Sequence, residues 1–368
     1  MSKLYCGLGL MSGTSADGVD ASIIQSNGDN EYEVILDKYF KYNQSIYEKI
    51  HNLKEEINNS KDLKNLSGKI QPLEKEITLF HVNAVNEIIK NSRLNIDLLG
   101  FHGQTIFHNA KEKISKQIGD GKLLSKLTNK SVIYNFRQND LKNGGHGAPL
   151  TPIFHKLLKK KLGFKDVTFV NIGGITNITT ISIDDTMFGT DIGPGMCLID
   201  RWVRKKSKKN YDENGLLAKS GTVNKLVLDK FINNFNEKEK ALSTDTIQSF
   251  DTKYFDFSFA NNLSLEDGAA TLTEFTTKII ISAIKAENRY KEKIILCGGG
   301  RKNSYLVEKL KKESNRIKLI DEYKIDGDFV ESQAFAYLAI RSFLKLPISF
   351  PETTGVNAPC TGGIFIKY

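Results

Sequence analysis

The feature that most constrains the fold of this chain is a hairpin pattern at its start. Residues 4–10 are apolar, residues 13–18 are rich in small and hydroxylated side chains, and residues 19–24 are apolar again. Two apolar runs joined by such a short polar segment predict a β-hairpin with a glycine-rich tip. A tip without bulky side chains lets backbone N–H groups and hydroxyls approach a phosphate. Carboxylates at Asp17 and Asp20 suit a hydrated magnesium ion that travels with a polyphosphate.

An ordinary surface turn between two core strands is the alternative interpretation of this hairpin. The two better-known phosphate-binding loops do not match it. Gly7, Gly9 and Gly13 fit G-x-G-x-x-x-G, which is one residue longer than the dinucleotide-binding fingerprint, and a strand pattern rather than a helix follows. The Walker pattern G-x-x-x-x-G-K-[ST] does not occur in the sequence.

The hairpin pattern recurs about half a chain later, which points to an internal duplication. Residues 167–183 form a second apolar hairpin with Gly173 and Gly174 at its tip. A third glycine turn at residues 298–300 follows a short strand of the buried type and opens a helix at residues 304–312. Strands and helices alternate along the chain, so the sequence predicts an α/β architecture with two related halves.

The length of 368 residues allows two domains with proper cores. Helical spacing of apolar residues predicts helices at residues 47–66, 73–90 and 329–344. A glycine-rich crossing at residues 144–147 marks the predicted domain boundary. We expect a first α/β domain of residues 1–140 with the C-terminal residues 340–368, and a second α/β domain of residues 141–339.

Charge and cysteine usage narrow the classes of function. The net charge of +9 comes mainly from lysine runs at the ends of predicted helices, which favours solvated helix faces over nucleic-acid binding. No apolar run reaches the ~20 residues that span a bilayer, and glycines interrupt the apolar start, so we expect neither a membrane protein nor a signal peptide. The four cysteines lack C-x-x-C spacing, which argues for reduced thiols, no zinc site and a cytoplasmic enzyme.

The segment FGTDIGPGMCLID at residues 188–200 carries the most specific signal of a site. Glycines and a proline surround Asp191, so we expect this carboxylate to lie on a strained turn with little side-chain bulk nearby. A carboxylate presented in this way can act as a general base on a water or a hydroxyl. It can equally hold magnesium or cap the helix that residues 196–204 predict, and the local sequence does not choose among these roles.

Two further polar clusters follow apolar strands. His102 and Gln104 follow the apolar residues 98–101, and such side chains suit hydrogen bonds to sugar hydroxyls. The alternative for His102 is a buried histidine that is satisfied within the protein. Arg137 follows the apolar residues 132–136, and its guanidinium can bind a carboxylate or a phosphate with two parallel bonds. Arg137 can also pair with Asp140.

Several collinear segments carry a resemblance that spans nearly the whole chain. They are GLMSGTSADGVDA, GFHGQTIFH, QIGDG, NFRQNDLKNGGHGAPLTPIFH, NIGGITNIT, GTDIGPGMCLID, YDENGLLAKSG, EDGAATLTEFT, CGGGRKN and FVESQAFAYLAIR. With these segments the chain resembles the anhydro-N-acetylmuramic acid kinase family, within the superfamily of sugar kinases, heat-shock chaperones and actin. The resemblance implies a two-domain actin-like ATPase fold of the ribonuclease-H-like type with a central cleft. It also implies an enzyme of cell-wall recycling that takes 1,6-anhydro-N-acetylmuramic acid, ATP and water and yields N-acetylmuramic acid 6-phosphate and ADP.

The resemblance also implies roles for individual residues. Asp191 matches the family's catalytic aspartate, which deprotonates the water that attacks the anomeric carbon, and Glu331 matches a supporting glutamate. The residues expected to bind ATP are Gly13, Thr14, Ser15, Ala16, Asp17, Gly18, Val19, Asp20, Gly173, Gly174, Gly298, Gly299 and Gly300. The residues expected to bind the sugar are His102, Gln104 and Arg137. ATP and Mg²⁺ are the expected cofactors, and no metal site made by the protein alone is expected.

The expected partners are the sugar and ATP, without nucleic acid or membrane, and a homodimer is left open. A kinase for another amino sugar and a catalytically silent sugar-binding relative are the alternatives to the coupled reaction. The silent relative is suggested by departures from the family pattern: Ile192 and Met196 replace polar residues of D-T-G-P-G-N. Asn135 stands where Asp is usual, and His146 stands where Gln is usual. Residues 248–253 match the family's K-S-T-G-R-E segment poorly.

Overall fold

The computed structural model describes residues 3–92, 94–242, 248–286 and 293–368. The chain divides into two compact units, each with its own β-sheet. Unit 1 consists of residues 1–162 and 328–368, and unit 2 consists of residues 163–327. Within the described part, none of the helices combines the length and the apolar character that a membrane crossing requires.

Strands and helices are numbered along the chain. The strands are β1 (Tyr5–Ser12), β2 (Gly18–Ser26), β3 (Tyr32–Lys41), β4 (Leu98–Asn109), β5 (Ile114–Ile118), β6 (Val132–Tyr134), β7 (Val167–Ile172), β8 (Ile175–Ile181), β9 (Met187–Pro194), β10 (Lys293–Cys297), β11 (Ile317–Leu319) and β12 (Ile364–Ile366). The helices are α1 (Gln44–Glu56), α2 (Asp62–Asn65), α3 (Ser67–Ser92), α4 (Gly121–Thr128), α5 (Gln138–Lys142), α6 (Pro152–Lys161), α7 (Cys197–Lys206), α8 (Leu216–Ser220), α9 (Lys225–Leu242), α10 (Leu265–Ala286), α11 (Ser304–Glu313), α12 (Val330–Phe343) and α13 (Pro351–Thr354).

The sheet of unit 1 has the strand order β12-β6-β4-β1-β2-β3, with β5 paired to β4. β1 and β2 pair antiparallel in continuous register, so the predicted N-terminal hairpin is confirmed. β3 is antiparallel to β2, whereas β4 runs parallel to β1 and β6 runs parallel to β4. The C-terminal β12 pairs with β6, which returns the end of the chain to unit 1 as the sequence predicts.

The sheet of unit 2 has the strand order β11-β10-β7-β8-β9. β7 and β8 pair antiparallel around Gly173 and Gly174, so the second predicted hairpin is confirmed. β9 is antiparallel to β8, while β10 and β11 run parallel to β7. Both sheets therefore repeat one topology, in which an antiparallel meander of three strands is extended by two parallel strands beside the first. This is the ribonuclease-H-like arrangement of actin-like ATPases, and the predicted fold class is confirmed.

The division between the units differs from the one expected from the sequence. Residues 141–162 and 328–339 lie in unit 1 and not in the second domain. The reason is packing, because α12 lies on β1, β2 and β4 and α6 contacts α12. The apolar α12 stays with the sheet that it covers, so the division falls at residues 162/163 and 327/328.

Two predicted helices have other bounds in the structure. The helix predicted for residues 47–66 is α1, which ends at Glu56, followed by the short α2. The backbone amides of Asn58 and Asn59 donate to Asp62 Oδ2 at 2.8 and 3.1 Å, and this local bonding takes the place of helical bonds. The helix predicted for residues 73–90 is the longer α3, which runs through Pro72 at the loss of one backbone hydrogen bond.

Apolar side chains fix the helices to the sheets. In unit 1, residues of α1 and α3 form one cluster with β1, β2 and β4. In unit 2, residues of α10 and α11 cluster with β7, β8 and β10. A second cluster in unit 2 surrounds Trp202 and joins α7, α9 and α10.

The approach of α12 to the first sheet is unusually close. A Cβ atom on Gly9 would lie 1.9 Å from the Ser332 carbonyl oxygen, and one on Gly100 would lie 2.2 Å from another backbone oxygen of α12. Only glycine permits this approach. Ser22 Oγ and Ser332 Oγ are 2.6 Å apart at the same contact. The start of α12, which carries Glu331, is thus held in place by buried contacts.

Candidate active site

The tip of the first hairpin is a tight turn formed by residues 13–17, and residues 18–20 begin β2. The Ala16 backbone amide donates to the Gly13 carbonyl at 3.1 Å. Ala16 is fully buried and has a φ of +52°. A residue with a side chain is strained in this left-handed region, and such strain collects at ligand-binding sites. All eight residues that the sequence assigns to the first ATP loop therefore lie in one turn and the strand start that follows it.

A buried chain of hydrogen bonds holds this tip. Tyr42 Oη donates to Ser12 Oγ at 3.2 Å, and Ser12 Oγ donates to Gln104 Oε1 at 2.6 Å. Gln104 Nε2 donates in turn to the Gly13 carbonyl at 3.0 Å. Gln104, which the sequence suggests as a sugar contact, thus supports the hairpin tip directly. Sequence reasoning missed Ser12 and Tyr42, because no local pattern signals a contact across 92 positions.

Helix α1 adds basic side chains to the same turn. Lys54 Nζ donates to the Thr14 carbonyl at 3.2 Å, and His51 Nε2 lies 3.0 Å from the Ser15 carbonyl oxygen. Carbonyl oxygens of the turn therefore face protein groups. A turn whose carbonyls are bonded on one side is suited to present backbone N–H groups to an anion on the other.

Two of the predicted ATP-binding glycines border open space. Among the described atoms, a Cβ on Gly13 would meet only Ser15 Oγ within 4 Å, at 3.9 Å, and a Cβ on Gly299 would meet none. Neither glycine has a positive φ. The packing of the chain and its backbone conformation therefore do not require glycine at these positions. Room beside a bare backbone is what the phosphates or sugar of a nucleotide need, so both turns fit such a ligand.

His102 and Arg137 form a buried pair in unit 1. His102 Nδ1 lies 2.8 Å from the Gly103 carbonyl oxygen and must donate to it, so Nε2 accepts from Arg137 Nη2 at 2.9 Å. Burial, and then the charge of Arg137, hold the pKa of His102 well below its usual range. The imidazole is therefore neutral. Arg137 Nη1 also donates to the Gly147 carbonyl at 2.8 Å, whereas Asp140 accepts from the Gly147 amide at 2.6 Å.

Glu331 is the second residue of α12 and is partly buried. Its position in the first turn puts its carboxylate at the positive end of the helix dipole.

Asp191 lies inside strand β9 and is 8% exposed. The expectation of a strained turn is wrong, because Asp191 pairs in register with Asn177 of β8. A segment outside the sheet closes over it. The Asp191 amide donates to the Gln248 carbonyl at 3.0 Å, and the Phe250 amide donates to Asp191 Oδ2 at 2.9 Å. The cap role is also not observed, since α7 begins only at Cys197 with Met196 as its N-cap.

A β-bulge next to Asp191 separates it from its neighbour Ile192. Thr176 pairs with Gly193 and Asn177 pairs with Asp191, so Ile192 is the extra residue of β9. Ile192 packs in the apolar cluster on the other face of the sheet. Ile192, which replaces a polar residue of the family pattern, therefore packs in the core and does not lie on the face of the sheet that carries Asp191.

The tip of the second hairpin is tied to the start of α7. The Met196 amide donates to the Gly173 carbonyl at 2.8 Å. The amides of Gly195 and Cys197 donate to the Gly174 carbonyl at 3.0 and 3.2 Å. The predicted glycines at 173 and 174 thus form one compact turn with the residues that follow β9.

The third glycine turn is held by a buried arginine that the sequence analysis did not single out. Arg301 Nε and Nη2 donate to Asp321 at 2.7 and 3.0 Å, and Arg301 Nη1 donates to the Gly298 carbonyl at 3.2 Å. Burial acts to raise the pKa of Asp321, but the bonds and charge of Arg301 lower it below its usual value. Gly298 also packs closely against β7, because a Cβ atom on Gly298 would lie 2.4 Å from Asn171 Oδ1.

Two further departures from the family pattern, Asn135 and His146, are compatible with the backbone conformation. Asn135 has a φ of +59°, and asparagine and aspartate are the residues with side chains that tolerate this region best. The His146 amide donates to the Thr354 carbonyl at 2.7 Å.

Within the described ranges, the side chains of His, Cys, Asp and Glu form no group of three or more that could hold a metal ion. Asp17 Oδ1 accepts from Ser15 Oγ at 2.5 Å on the first hairpin tip. A carboxylate on a turn that suits phosphate fits a magnesium ion whose other ligands are water and phosphate oxygens.

Comparison with known proteins agrees with this architecture. A family model for anhydro-N-acetylmuramic acid kinase matches residues 4–367. A protein of that name from Pelagibacter ubique is 52% identical, and the match covers 100% of both chains. Proteins of that name from Agrobacterium fabrum and Zymomonas mobilis are 34% and 37% identical, with 97% or more of each chain covered. The chain belongs to the anhydro-N-acetylmuramic acid kinase family.

Proposed function

We propose that this protein is an ATP-dependent kinase that converts 1,6-anhydro-N-acetylmuramic acid, with water, to N-acetylmuramic acid 6-phosphate and ADP. The observation that carries the proposal is the family match over residues 4–367, with Asp191 retained on a sheet of the expected topology. Cell-wall recycling is the process in which such a reaction takes part.

Asp191 is the general base in this proposal. It takes a proton from a water molecule while the water oxygen bonds to the anomeric carbon and the bond from that carbon to the 6-oxygen breaks. The 6-oxygen takes the γ-phosphoryl group, and ADP leaves. Because the leaving oxygen is captured by phosphorus, little negative charge accumulates on it. The Phe250 amide, 2.9 Å from Asp191 Oδ2, supports the role because it fixes the orientation of the carboxylate.

The nucleotide is bound by the glycine turns. The open space beside Gly13 and Gly299 and the basic Lys54 next to Thr14 support this assignment. Asp17 and Asp20 would hold Mg²⁺ through its water shell, and the ion would neutralise charge on the phosphates. Gly173 and Gly174, at the tip of the second hairpin, are the remaining residues assigned to ATP binding.

The sugar is bound by His102 and Arg137, and Glu331 supports the reacting groups. Arg137 supplies the cation that suits a carboxylate of a muramic acid, and His102, whose two ring nitrogens are both bonded within the protein, orients this guanidinium. Gln104 acts through the hairpin tip in this assignment, since its amide contacts Ser12 and Gly13. A silent relative is not favoured, because Ile192 faces the apolar core and not the face of Asp191.

We further propose that the protein is cytoplasmic. All four cysteines lie in the described part of the chain as thiols, which supports a reducing compartment. A homodimer is left open, and sedimentation of the purified protein decides between a monomer and a dimer.

The test of the function is ADP release with purified protein, ATP and Mg²⁺ over a panel of sugars. ADP should form with the 1,6-anhydro sugar and not with N-acetylmuramic acid or N-acetylglucosamine, which lack the bridge. Turnover of an open amino sugar without turnover of the anhydro sugar would replace the proposal by another kinase activity.

A further inference from the structure

A polar row crosses the sheet of unit 2. Asn171, Asn177 and Asp191 are paired in register across β7, β8 and β9. Residues paired across antiparallel strands project to the same face, with Cβ atoms roughly 4.5–5.5 Å apart. Asn177 thus stands beside Asp191, on the face opposite to the apolar Ile178 and Ile192.

The side-chain oxygen of Asn177 is buried without a protein donor. Within the described part of the chain, no group lies at hydrogen-bonding distance from Asn177 Oδ1. A buried amide oxygen without a partner costs about 1–3 kcal/mol of stability. The backbone bulge at Ile192 lies at this same place, and bulges beside active sites re-aim side chains. The fold thus keeps an unsatisfied acceptor next to a carboxylate.

We propose that Asn177 Oδ1 binds the water that Asp191 activates, which makes Asn177 a further catalytic residue of the reaction. This inference rests on the proposed function. The water donates one O–H to Asp191, which takes that proton, and the other O–H to Asn177. With both hydrogens directed at protein acceptors, a lone pair of the water oxygen points to the anomeric carbon. The oxygen–carbon bond forms as the bridge breaks, and the second hydrogen stays on the new anomeric hydroxyl.

The first variant is Asn177→Leu, which removes the amide and keeps a similar volume. Since it also removes an unsatisfied buried oxygen, the melting temperature should be unchanged or higher. kcat should fall by about 10²–10³-fold, as for loss of one group that stabilises a transition state, with KM for ATP within about twofold of the parent. Ser342→Ala is the matched control, because Ser342 Oγ is also buried without a partner among the described residues. This control should keep both stability and kcat.

The second variant is Asn177→Asp, which keeps the shape and the acceptor and adds a charge opposite Asp191. Two neighbouring carboxylates are harder to ionise together, so the acid limb of the kcat–pH profile should move to higher pH. A kcat of Asn177→Leu within about threefold of the parent overturns the inference. If Asn177→Leu does not fold, an unmoved acid limb in Asn177→Asp overturns it. If the parent itself does not turn over the anhydro sugar, the proposed function fails, and this inference fails with it.

Discussion

Replacement of Gln104 by methionine tests the hydrogen-bond chain below the first hairpin tip. The wild-type amide accepts from Ser12 Oγ at 2.6 Å and donates to the Gly13 carbonyl at 3.0 Å. After the replacement, Ser12 Oγ still has the Gly18 carbonyl at 2.8 Å, and the Gly13 carbonyl keeps the Ala16 amide at 3.1 Å. No buried group is left without a partner. Because the single hydroxyl hydrogen of Ser12 turns to the Gly18 carbonyl, the cost is one net hydrogen bond, or about 1 kcal/mol of unfolding free energy.

The assay for Gln104→Met has two parts, urea unfolding and steady-state kinetics. We expect KM for ATP to rise about tenfold, which corresponds to about 1.4 kcal/mol, because the tip is less well fixed before binding. KM for the sugar should stay within about twofold. Gln71→Met, at an exposed position of α3, is the matched control and should change neither. A raised KM for the sugar with an unchanged KM for ATP would refute the reasoning and make Gln104 a sugar contact.

Three further outcomes are expected. Arg301→Met should lower the unfolding free energy by about 2–3 kcal/mol and raise KM for ATP, because Asp321 and the Gly298 carbonyl lose the hydrogen bonds that the guanidinium donates to them. Urea unfolding and kinetics measure both quantities, and an unchanged KM would contradict the role of Arg301 in holding the glycine turn. Gly299→Ala should fold like the parent but bind ATP more weakly. Gly300→Ala should have a lower unfolding free energy, since its Cβ would lie 2.3 Å from Ile172 Cγ2. Equal stability of the two variants would contradict the close packing of Gly300 against Ile172. Burial lowers the pKa of His81 to about 4 and of His155 to about 3. As the pH falls below about 6.5, these histidines bind protons in the unfolded chain but not in the folded chain. The unfolding free energy is therefore highest above that pH, and below it each such histidine lowers it by about 1.4 kcal/mol per pH unit. Unfolding free energies that stay constant between about pH 7 and pH 5 would contradict this.

The hairpins and the glycine turns could be predicted because their signals are local. Alternating or continuous apolar runs on both sides of a glycine tip fix strand, turn and strand within some twenty residues. The position of Asp191 inside β9, the outer strand of its sheet, was not visible in this way. Glycines on both sides suggested a turn, whereas pairing with β8 extends β9 from Met187 to Pro194.

Contacts between distant parts of the chain could not be predicted. The link from Ser12 to Gln104 joins residues 92 positions apart, and the link from Arg301 to Asp321 joins residues 20 positions apart. Such pairs depend on which strands become neighbours and on how closely the chain packs there. The predicted boundaries between the two units differ from the observed ones for the same reason, because the position of α6 depends on its contact with the distant α12.

The most direct test of the account is the path of the water oxygen. The reaction is run in ¹⁸O-labelled water with the parent, with Asp191→Asn, and with Asp229→Asn as a control at an exposed position of α9. The account predicts one labelled oxygen on the anomeric carbon of the phosphorylated product for the parent and the control, and loss of both label and phosphorylated product for Asp191→Asn. Phosphorylated product whose anomeric oxygen is unlabelled, or an Asp191→Asn variant that incorporates label at the parent's rate, would contradict the central claim.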